Sequence, residues 1–322
     1  MTSSRRLSTR IAIRLAVAMV FAFSSLGAAA ADMGKVVRHV FPVAETGFDP
    51  QGVSDLYSGT VIQAIFETLL TYDYLARPAK LVPMAAEALP QVSDNGKTYT
   101  LRIRKGIHFT PDPAFKGKKR ELVAEDYVYS LKRLVDPKVR SPNAFLIEGK
   151  IVGLDEQVEA AKKTGKFDYD AKVEGLEAVD RYTLRIRLKE QDYGLSYVLA
   201  HEPTSAVARE VIEAYADESG RAQSNPVGTG AYKLASWVRS SKILLEANPD
   251  YRGFVWDFRG TGDAEDQRIV KEMKGKRMPQ VGRVEISIIE EDQARLLAFQ
   301  GGEIDLMNME GPSRPTCSTA AP

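Results

Sequence analysis

The sequence is short of the residues that most often carry catalysis or covalent cross-links. Its 322 residues include one cysteine, three histidines and two tryptophans. Because Cys317 is the only cysteine, no disulfide can form within the chain, and the fold must be stable through its core alone. The histidines, His39, His108 and His201, match no spacing that presents two imidazoles to one metal ion. Each histidine is therefore predicted to be structural.

Acidic residues are missing from the first 31 positions, which contain four arginines. An apolar run, Leu15 to Leu26, follows the arginines, and five small residues ending at Ala31 come next. As a helix the run would span about 18 Å, well short of the roughly 30 Å hydrocarbon core of a bilayer. Residues 1–31 are therefore predicted to be a cleaved secretory signal peptide rather than a membrane anchor.

The signal indicates a protein exported to a Gram-negative periplasm. No cysteine stands at the cleavage site to carry a lipid, so a lipoprotein is not expected. Sec is the expected export route, and the pair Arg5-Arg6 leaves a twin-arginine signal as the alternative. The formal net charge is +1, and residues 32–322 hold 40 basic and 43 acidic side chains. This balance gives no reason to expect a nucleic-acid partner.

Segments of strand and helix character alternate from Val36 onward, which indicates an α/β or α+β class. Ser54 is a candidate cap for a helix with a single apolar stripe that runs from Val61 to Leu70. A second helix is predicted over 124–135, where Asp136-Pro137 ends it.

Four strands are predicted from alternating apolar residues and from turn residues. The letters Tyr-Thr-Leu-Arg-Ile-Arg occur at 99–104 and again at 182–187, and we interpret them as two strands of one sheet rather than as a duplication. Strand 231–237 is predicted to pair with 242–247. The polar stretch that ends near Gly282 is the candidate crossing between domains.

Catalytic motifs are missing from the sequence. It contains no Gly-x-Ser-x-Gly elbow and no phosphate-binding P-loop. Gly228-Thr229-Gly230 begins like a dinucleotide motif, but Lys233 stands where the third glycine is required. We interpret this segment as a tight turn at a close backbone crossing. The sequence therefore predicts no catalytic residue, no metal ligand and no cofactor.

A series of motifs in a fixed order carries more information. In chain order the motifs are Phe48-Asp49-Pro50, Ile65 to Asp73, Leu81 to Glu87, Tyr99 to Phe109, Leu122 to Leu131, Val227 to Tyr232, Asn248 to Tyr251 and Gly301 to Leu306. The series resembles the family 5 extracellular solute-binding proteins, which include the oligopeptide- and dipeptide-binding receptors of ABC importers. Ala231 departs from the family pattern, which has proline there.

The resemblance implies an α/β fold of the two-lobed, type II periplasmic-binding-protein kind, which closes on its ligand about a hinge. Residues 32–282 are assigned to lobe 1, with an inserted subdomain at roughly 55–200. Residues 283–310 are assigned to the start of lobe 2, and residues 311–322 to an unstructured tail for which an out-of-frame origin is one explanation. On this assignment lobe 1 is nearly complete, lobe 2 is only begun, and the chain is a C-terminally truncated member.

By the same analogy, two loops line the lobe 1 cleft. The candidate ligand-binding residues are Glu45, Thr46, Gly47 and Phe48 in the first loop and Gly228, Thr229, Gly230 and Tyr232 in the second, with a tight-turn role as the alternative for each. The expected ligand is a peptide or similar small solute, and the expected protein partners are the inner-membrane permease subunits of an ABC importer. The complete protein is expected to be a monomer.

Two other hypotheses stay open. A nonfunctional truncated fragment of such a receptor is consistent with the loss of hydrophobic periodicity at Gly311. An enzyme on a binding-protein scaffold belongs to a different class, and the missing nucleophile, base and metal motifs count against it.

Overall fold

The computed structural model describes residues 31–308. The predicted signal peptide, apart from Ala31, and the predicted tail 311–322 lie outside the described residues. Within residues 31–308, no helix has both the length and the apolar content needed to cross a bilayer.

Strands and helices alternate along the chain. The strands are β1 (Asp32–Phe41), β2 (Leu70–Tyr72), β3 (Leu81–Pro83), β4 (Gln91–Ser93), β5 (Thr98–Arg102), β6 (Leu176–Asp180), β7 (Thr183–Arg187), β8 (Tyr232–Val238), β9 (Lys242–Ala247), β10 (Phe254–Val255), β11 (Arg277–Met278) and β12 (Val281–Ile288). The α-helices are α1 (Leu56–Ile65), α2 (Ala124–Val135), α3 (Leu154–Thr164), α4 (Leu195–Val198), α5 (Arg209–Tyr215), α6 (Ala264–Met273) and α7 (Asp292–Gln300).

The first sheet has the strand order β1-β12-β9-β8. β12 is parallel to β1 and antiparallel to β9, with Val284 opposite Leu245. β8 and β9 form the predicted antiparallel pair, with Tyr232 opposite Ala247. β1, β12 and β8 therefore run in one direction and end at the same edge of the sheet, which we call the carboxyl edge.

The second sheet has the order β4-β5-β7-β6, and each neighbouring pair is antiparallel. The two copies of the repeated six-letter segment lie opposite each other, with Tyr99 paired to Ile186 and Leu101 to Leu184. All four side chains are buried. The interpretation of the two segments as strands of one sheet is confirmed. α2, which has the predicted bounds, packs against β6 and β7.

Each sheet has its own apolar core. The core of the first sheet joins Phe41, Phe48, Ile65 and Ile286 among others, and the core of the second sheet contains Tyr99 and most of the buried face of α2. Residues 56–66 pack on the first sheet, although they fall inside the subdomain expected at roughly 55–200. The second sheet itself, residues 91–187, lies within that range.

The start of α1 differs by one residue from the prediction. Its N-cap is Asp55 and not Ser54, because the Asp55 carboxylate accepts a hydrogen bond of 2.7 Å from the Ser58 backbone N–H. A carboxylate at this position also interacts favourably with the positive end of the helix dipole.

The end of α1 also differs from the prediction. The helix stops at Ile65, and Leu70, the last residue of the predicted stripe, begins β2. The Ile65 carbonyl accepts a 2.7 Å hydrogen bond from Gly230 N–H, so a turn distant in sequence packs on the helix end. The apolar stripe correctly indicated burial, since Leu70 is fully buried. The residues near Ile65 give no sign of the helix end, because the turn that packs there is distant in sequence.

The expected boundary between residues 282 and 283 falls inside β12. Because β12 lies between β1 and β9, residues 283–288 share a sheet with the residues assigned to lobe 1. α7 continues this layer, with Ala298 packed in a small cluster against Val40 of β1. The described part of the range expected to begin lobe 2 therefore packs on β1. A parallel pairing across some 250 residues cannot be read from local periodicity.

The polar stretch expected to be a crossing between domains is ordered. Residues 251–280 contain β10, β11 and α6, and β10 pairs with β11. Trp256 between these strands is only 5% exposed. We call this segment the excursion.

Candidate ligand-binding edge of the first sheet

Three segments meet at the carboxyl edge of the first sheet. They are the loop 42–48 after β1, the turn 239–241 between β8 and β9, and the residues after β12. Backbone hydrogen bonds join them, from Ile289 N–H to Phe41 O (3.0 Å) and from Ile288 N–H to Ser241 O (2.9 Å). In open α/β sheets, ligands bind beyond the carboxyl ends of the strands. This edge is therefore the candidate ligand site.

Glu45 joins the loop to the turn. Its side chain is buried, and Oε1 accepts hydrogen bonds from Trp237 Nε1 (2.5 Å) and from the Ser240 backbone N–H (3.1 Å). Oε2 is also buried and has no hydrogen-bond partner among the described residues. A buried acceptor without a partner is costly, so this oxygen is an unsatisfied hydrogen-bonding position at the edge.

Thr46 fixes the loop to the start of α1. Its hydroxyl donates to Asp55 Oδ2 (2.6 Å), and its backbone N–H donates to Ser58 Oγ (3.0 Å). Burial of Asp55 opposes ionisation, but the hydrogen bonds from Thr46 and Ser58 outweigh it and lower the pKa of Asp55. The Thr46 carbonyl accepts from Arg239 Nη2 (2.6 Å), so the loop also contacts the β8–β9 turn.

Gly47 and Phe48 support the loop from the core side. A Cβ at Gly47 would lie 2.1 Å from Gln223 Oε1, which leaves little room for a side chain there. Phe48 is fully buried, its ring centroid lies 4.7 Å from that of Trp237, and its N–H donates to Gln223 O (2.9 Å). Phe48 therefore anchors the loop through packing, in line with the tight-turn alternative.

A cavity of about 340 Å³ opens beside this loop. Its walls include Val43, which is 56% exposed, and Arg295 of α7, which is 8% exposed. Arg295 Nη1 donates to the carbonyls of Ile289 (2.8 Å) and Glu290 (2.7 Å), and its Nη2 contacts Asp292. The guanidinium of Arg295 thus fixes the residues that follow β12. In the same way, the hydrogen bonds of Glu45 fix the loop that follows β1.

The second predicted group lies elsewhere. Gly228, Thr229 and Gly230 pack on the far end of α1, and a Cβ at Gly228 would lie 2.1 Å from the Ile65 carbonyl oxygen. α1 has ten residues and is about 15 Å long, so it separates this turn from the loop around Glu45. Phe48 does line a small pocket with Phe66 and Val227, but Glu45 and Thr46 contact the β8–β9 turn and the start of α1, so the structure does not bring the two predicted groups together as one site.

Side chains of the second group bond to the protein itself. Thr229 Oγ1 donates to the buried Glu67 Oε2 (3.0 Å), and Arg252 Nη1 donates to the same oxygen (2.6 Å). Tyr232 donates its hydroxyl proton to Val281 O (3.0 Å), and burial raises the pKa of Tyr232. These bonds give the turn a structural role that needs no ligand.

Sequence reasoning missed Trp237, Ser240 and Arg295. Trp237 closes a predicted strand and is one of two tryptophans, so the end of that strand was a usable signal. Ser240 bonds through its backbone, and Arg295 sits on a helix without a motif, so neither position carries a signal in the sequence.

Comparison with solved structures defines the class. Haemophilus influenzae OppA in complex with RPPGFSPFR superposes with a TM-score of 0.64 at 22% identity, over 88% of this chain and 47% of that chain. Helicobacter pylori DppA in complex with the peptide STSA gives a TM-score of 0.61 at 24% identity, over 84% of this chain and 46% of that chain. The fold is that of part of a type II periplasmic binding protein.

Sequence comparison gives the family. The model described as bacterial extracellular solute-binding proteins, family 5 Middle, matches residues 80–317, and the chain belongs to this family. The chain is 31% identical over 204 residues to the periplasmic oligopeptide-binding protein OppA of Escherichia coli (strain K12), covering 63% of this chain and 34% of that protein.

Another relative has a different named ligand. The probable deoxycholate-binding periplasmic protein YgiS of Escherichia coli (strain K12) is 30% identical over 205 residues, covering 63% of this chain and 35% of that protein. This chain thus spans about a third of the length of the curated relatives it matches. These relatives are named as binding proteins and not as enzymes.

Proposed function

We propose that the chain contributes the ligand-binding edge of a periplasmic solute receptor of family 5, and that the ligand is a peptide. The observation that carries this proposal is the Glu45 network at the carboxyl edge. Glu45 links the loop after β1 to the β8–β9 turn, and its second oxygen has no partner among the described residues. The edge is therefore held together by a buried network in which one acceptor is unsatisfied.

Extended peptides are suited to such an edge, because their backbone N–H groups present regularly spaced donors with little dependence on side chains. The named ligands of OppA and DppA support the peptide class. Binding between this edge and a second lobe would favour the closed state of the receptor. We propose that the closed state delivers its ligand to the inner-membrane permease subunits of an ABC importer.

Isothermal titration calorimetry with a pool of peptides of about two to nine residues tests whether the chain binds peptides. One substitution tests whether the peptide binds at the carboxyl edge. Val43→Trp fills the cavity beside the loop and should weaken peptide binding about tenfold or more, since tenfold corresponds to roughly 1.4 kcal/mol. Val92→Trp is the matched control, because Val92 is 42% exposed and lies on β4 in the second sheet. It should leave the affinity unchanged.

Two outcomes contradict the proposal. The absence of any saturable peptide binding would favour the nonfunctional-fragment hypothesis. Equal weakening by the two tryptophan variants would show that the carboxyl edge is not the binding surface. Thermal unfolding of each variant identifies any loss of binding that reflects loss of fold.

A further inference from the structure

A second groove lies away from the carboxyl edge, between the β2–β3 pair and the start of the excursion. Its volume is about 540 Å³, within the range of pockets that hold small organic ligands. Its apolar walls are formed by Val82, Pro83, Phe254, Val255 and Phe258. We call it the arginine groove, because two arginines also line it.

The two arginines converge on one backbone oxygen. Arg104 Nε and Arg252 Nη2 each donate a hydrogen bond of 3.1 Å to the carbonyl oxygen of Met84. Their guanidinium groups are therefore neighbours, held in place by the same backbone atom. Such fixed planar donors match the geometry of a carboxylate.

Only one of the two arginines has a carboxylate partner. Arg252 pairs with the buried Glu67 through a 2.6 Å contact. Arg104 forms no ion pair with any carboxylate of residues 31–308, and its two Nη groups make no hydrogen bond within that range. Asp257 also lines the groove, but it is exposed and pairs with neither guanidinium among the described residues. One fixed positive charge is left beside the apolar walls.

The remaining wall of the arginine groove is aromatic and partly open to solvent. Phe254 and Val255 are 43% and 57% exposed. Phe258 lies between Trp256 and Tyr74, with ring centroids 5.1 Å and 6.5 Å away. Exposed apolar side chains that surround a groove indicate a surface that binds an apolar group.

We propose that the arginine groove binds a small amphipathic carboxylate, with its carboxylate on Arg104 and its hydrocarbon body along Val82, Phe254 and Phe258. The positive charge selects the head group, and the apolar walls select the body. This site is separate from the peptide edge. Arg252 is connected through Glu67 to the Thr229 turn at the far end of α1.

Titration calorimetry of the chain with decanoate tests the proposal. Decanol, which is uncharged, and decyltrimethylammonium, which is cationic, are the control ligands with the same hydrocarbon chain. Decanoate should bind saturably and at least about tenfold more tightly than either, because a charge-assisted hydrogen bond is lost without the carboxylate. Arg104→Gln should weaken decanoate binding by a similar factor. Arg102→Gln is the matched control two residues earlier, at the end of β5, where Arg102 is exposed and pairs with Glu87.

A second variant covers the case in which Arg104→Gln disturbs folding. Val255→Asp changes an exposed position and places a negative charge in the groove, so it should abolish decanoate binding and leave thermal unfolding unchanged. Val43→Trp at the carboxyl edge should not affect decanoate. The proposal is overturned if decanoate does not bind, if decanol binds equally well, or if both groove variants bind decanoate like the parent chain.

Discussion

The buried ion pair between Arg133 and Asp49 should be the most sensitive single contact in the fold. Both side chains have no solvent exposure, and two bonds join them, Nη1 to Oδ1 at 3.0 Å and Nη2 to Oδ2 at 2.7 Å. Asp49 directly follows the site loop, and Arg133 lies on α2 beneath the second sheet. The pair therefore connects the loop to the neighbouring layer.

Asp49→Asn removes the negative charge and leaves the guanidinium buried. Arg133 would keep the Gln51 side chain (2.5 Å) and the Gly220 carbonyl (2.8 Å) as acceptors, but neither is ionised. Stranding one partner of a buried pair costs about 3–5 kcal/mol. This is a large fraction of the roughly 5–15 kcal/mol that stabilises a typical domain.

Urea unfolding followed by circular dichroism measures this cost. The double variant Asp49→Asn/Arg133→Met removes the stranded charge as well, so it should recover part of the loss and give a large coupling in the double-mutant cycle. Glu265→Gln is the control, since its partner Arg268 is exposed and such pairs contribute about 0–1 kcal/mol. A loss below about 1 kcal/mol for Asp49→Asn, or a double variant no better than the single one, would refute the reasoning.

Other predictions concern the two ends of α1. Asp55→Asn should lower the free energy of unfolding at neutral pH. Because the folded pKa of Asp55 lies below its ordinary value of 3.8, the difference in unfolding free energy between variant and parent should shrink as pH falls below 3.8. A difference in urea unfolding that stays constant across that range would contradict this prediction. Gly228→Ala should lower the stability of the fold by about 1–3 kcal/mol, because the new Cβ would meet the Ile65 backbone. Gly34→Ala is the control and should cost less, because the nearest atom to its Cβ is an exposed side-chain oxygen 3.3 Å away. Equal losses of stability in thermal unfolding would argue against the close approach at Gly228.

Much of the fold follows from local patterns in the sequence. The alternation around Tyr99 and Ile186 predicted two strands of one sheet, and Asp136-Pro137 marked the end of α2. These signals are local because a strand period or a helix stop depends on neighbouring residues. The motif series also indicates the family, which the family match over residues 80–317 confirms.

The rest depends on contacts between residues far apart in the chain. β12 lies between β1 and β9 in the first sheet, and this strand order cannot be predicted from the periodicity of the sequence. The glycines of the 228–230 turn were correctly interpreted as a close crossing, but their partner, the Ile65 carbonyl, could not be predicted. The family resemblance, and no local pattern, is what places that turn with Glu45 at one cleft, and in this structure the length of α1 lies between the two.

The emission of Trp237 tests the central claim, ligand binding at the carboxyl edge, most directly. Trp256 is the other tryptophan and lies in the excursion, so Trp256→Phe makes Trp237 the sole reporter, with its indole N–H on Glu45. Peptide added to this variant should change the emission saturably, at the concentrations that calorimetry gives for binding. The reverse variant, Trp237→Phe, should leave the emission of Trp256 unchanged. Saturable peptide binding that leaves the Trp237 emission constant would contradict the account.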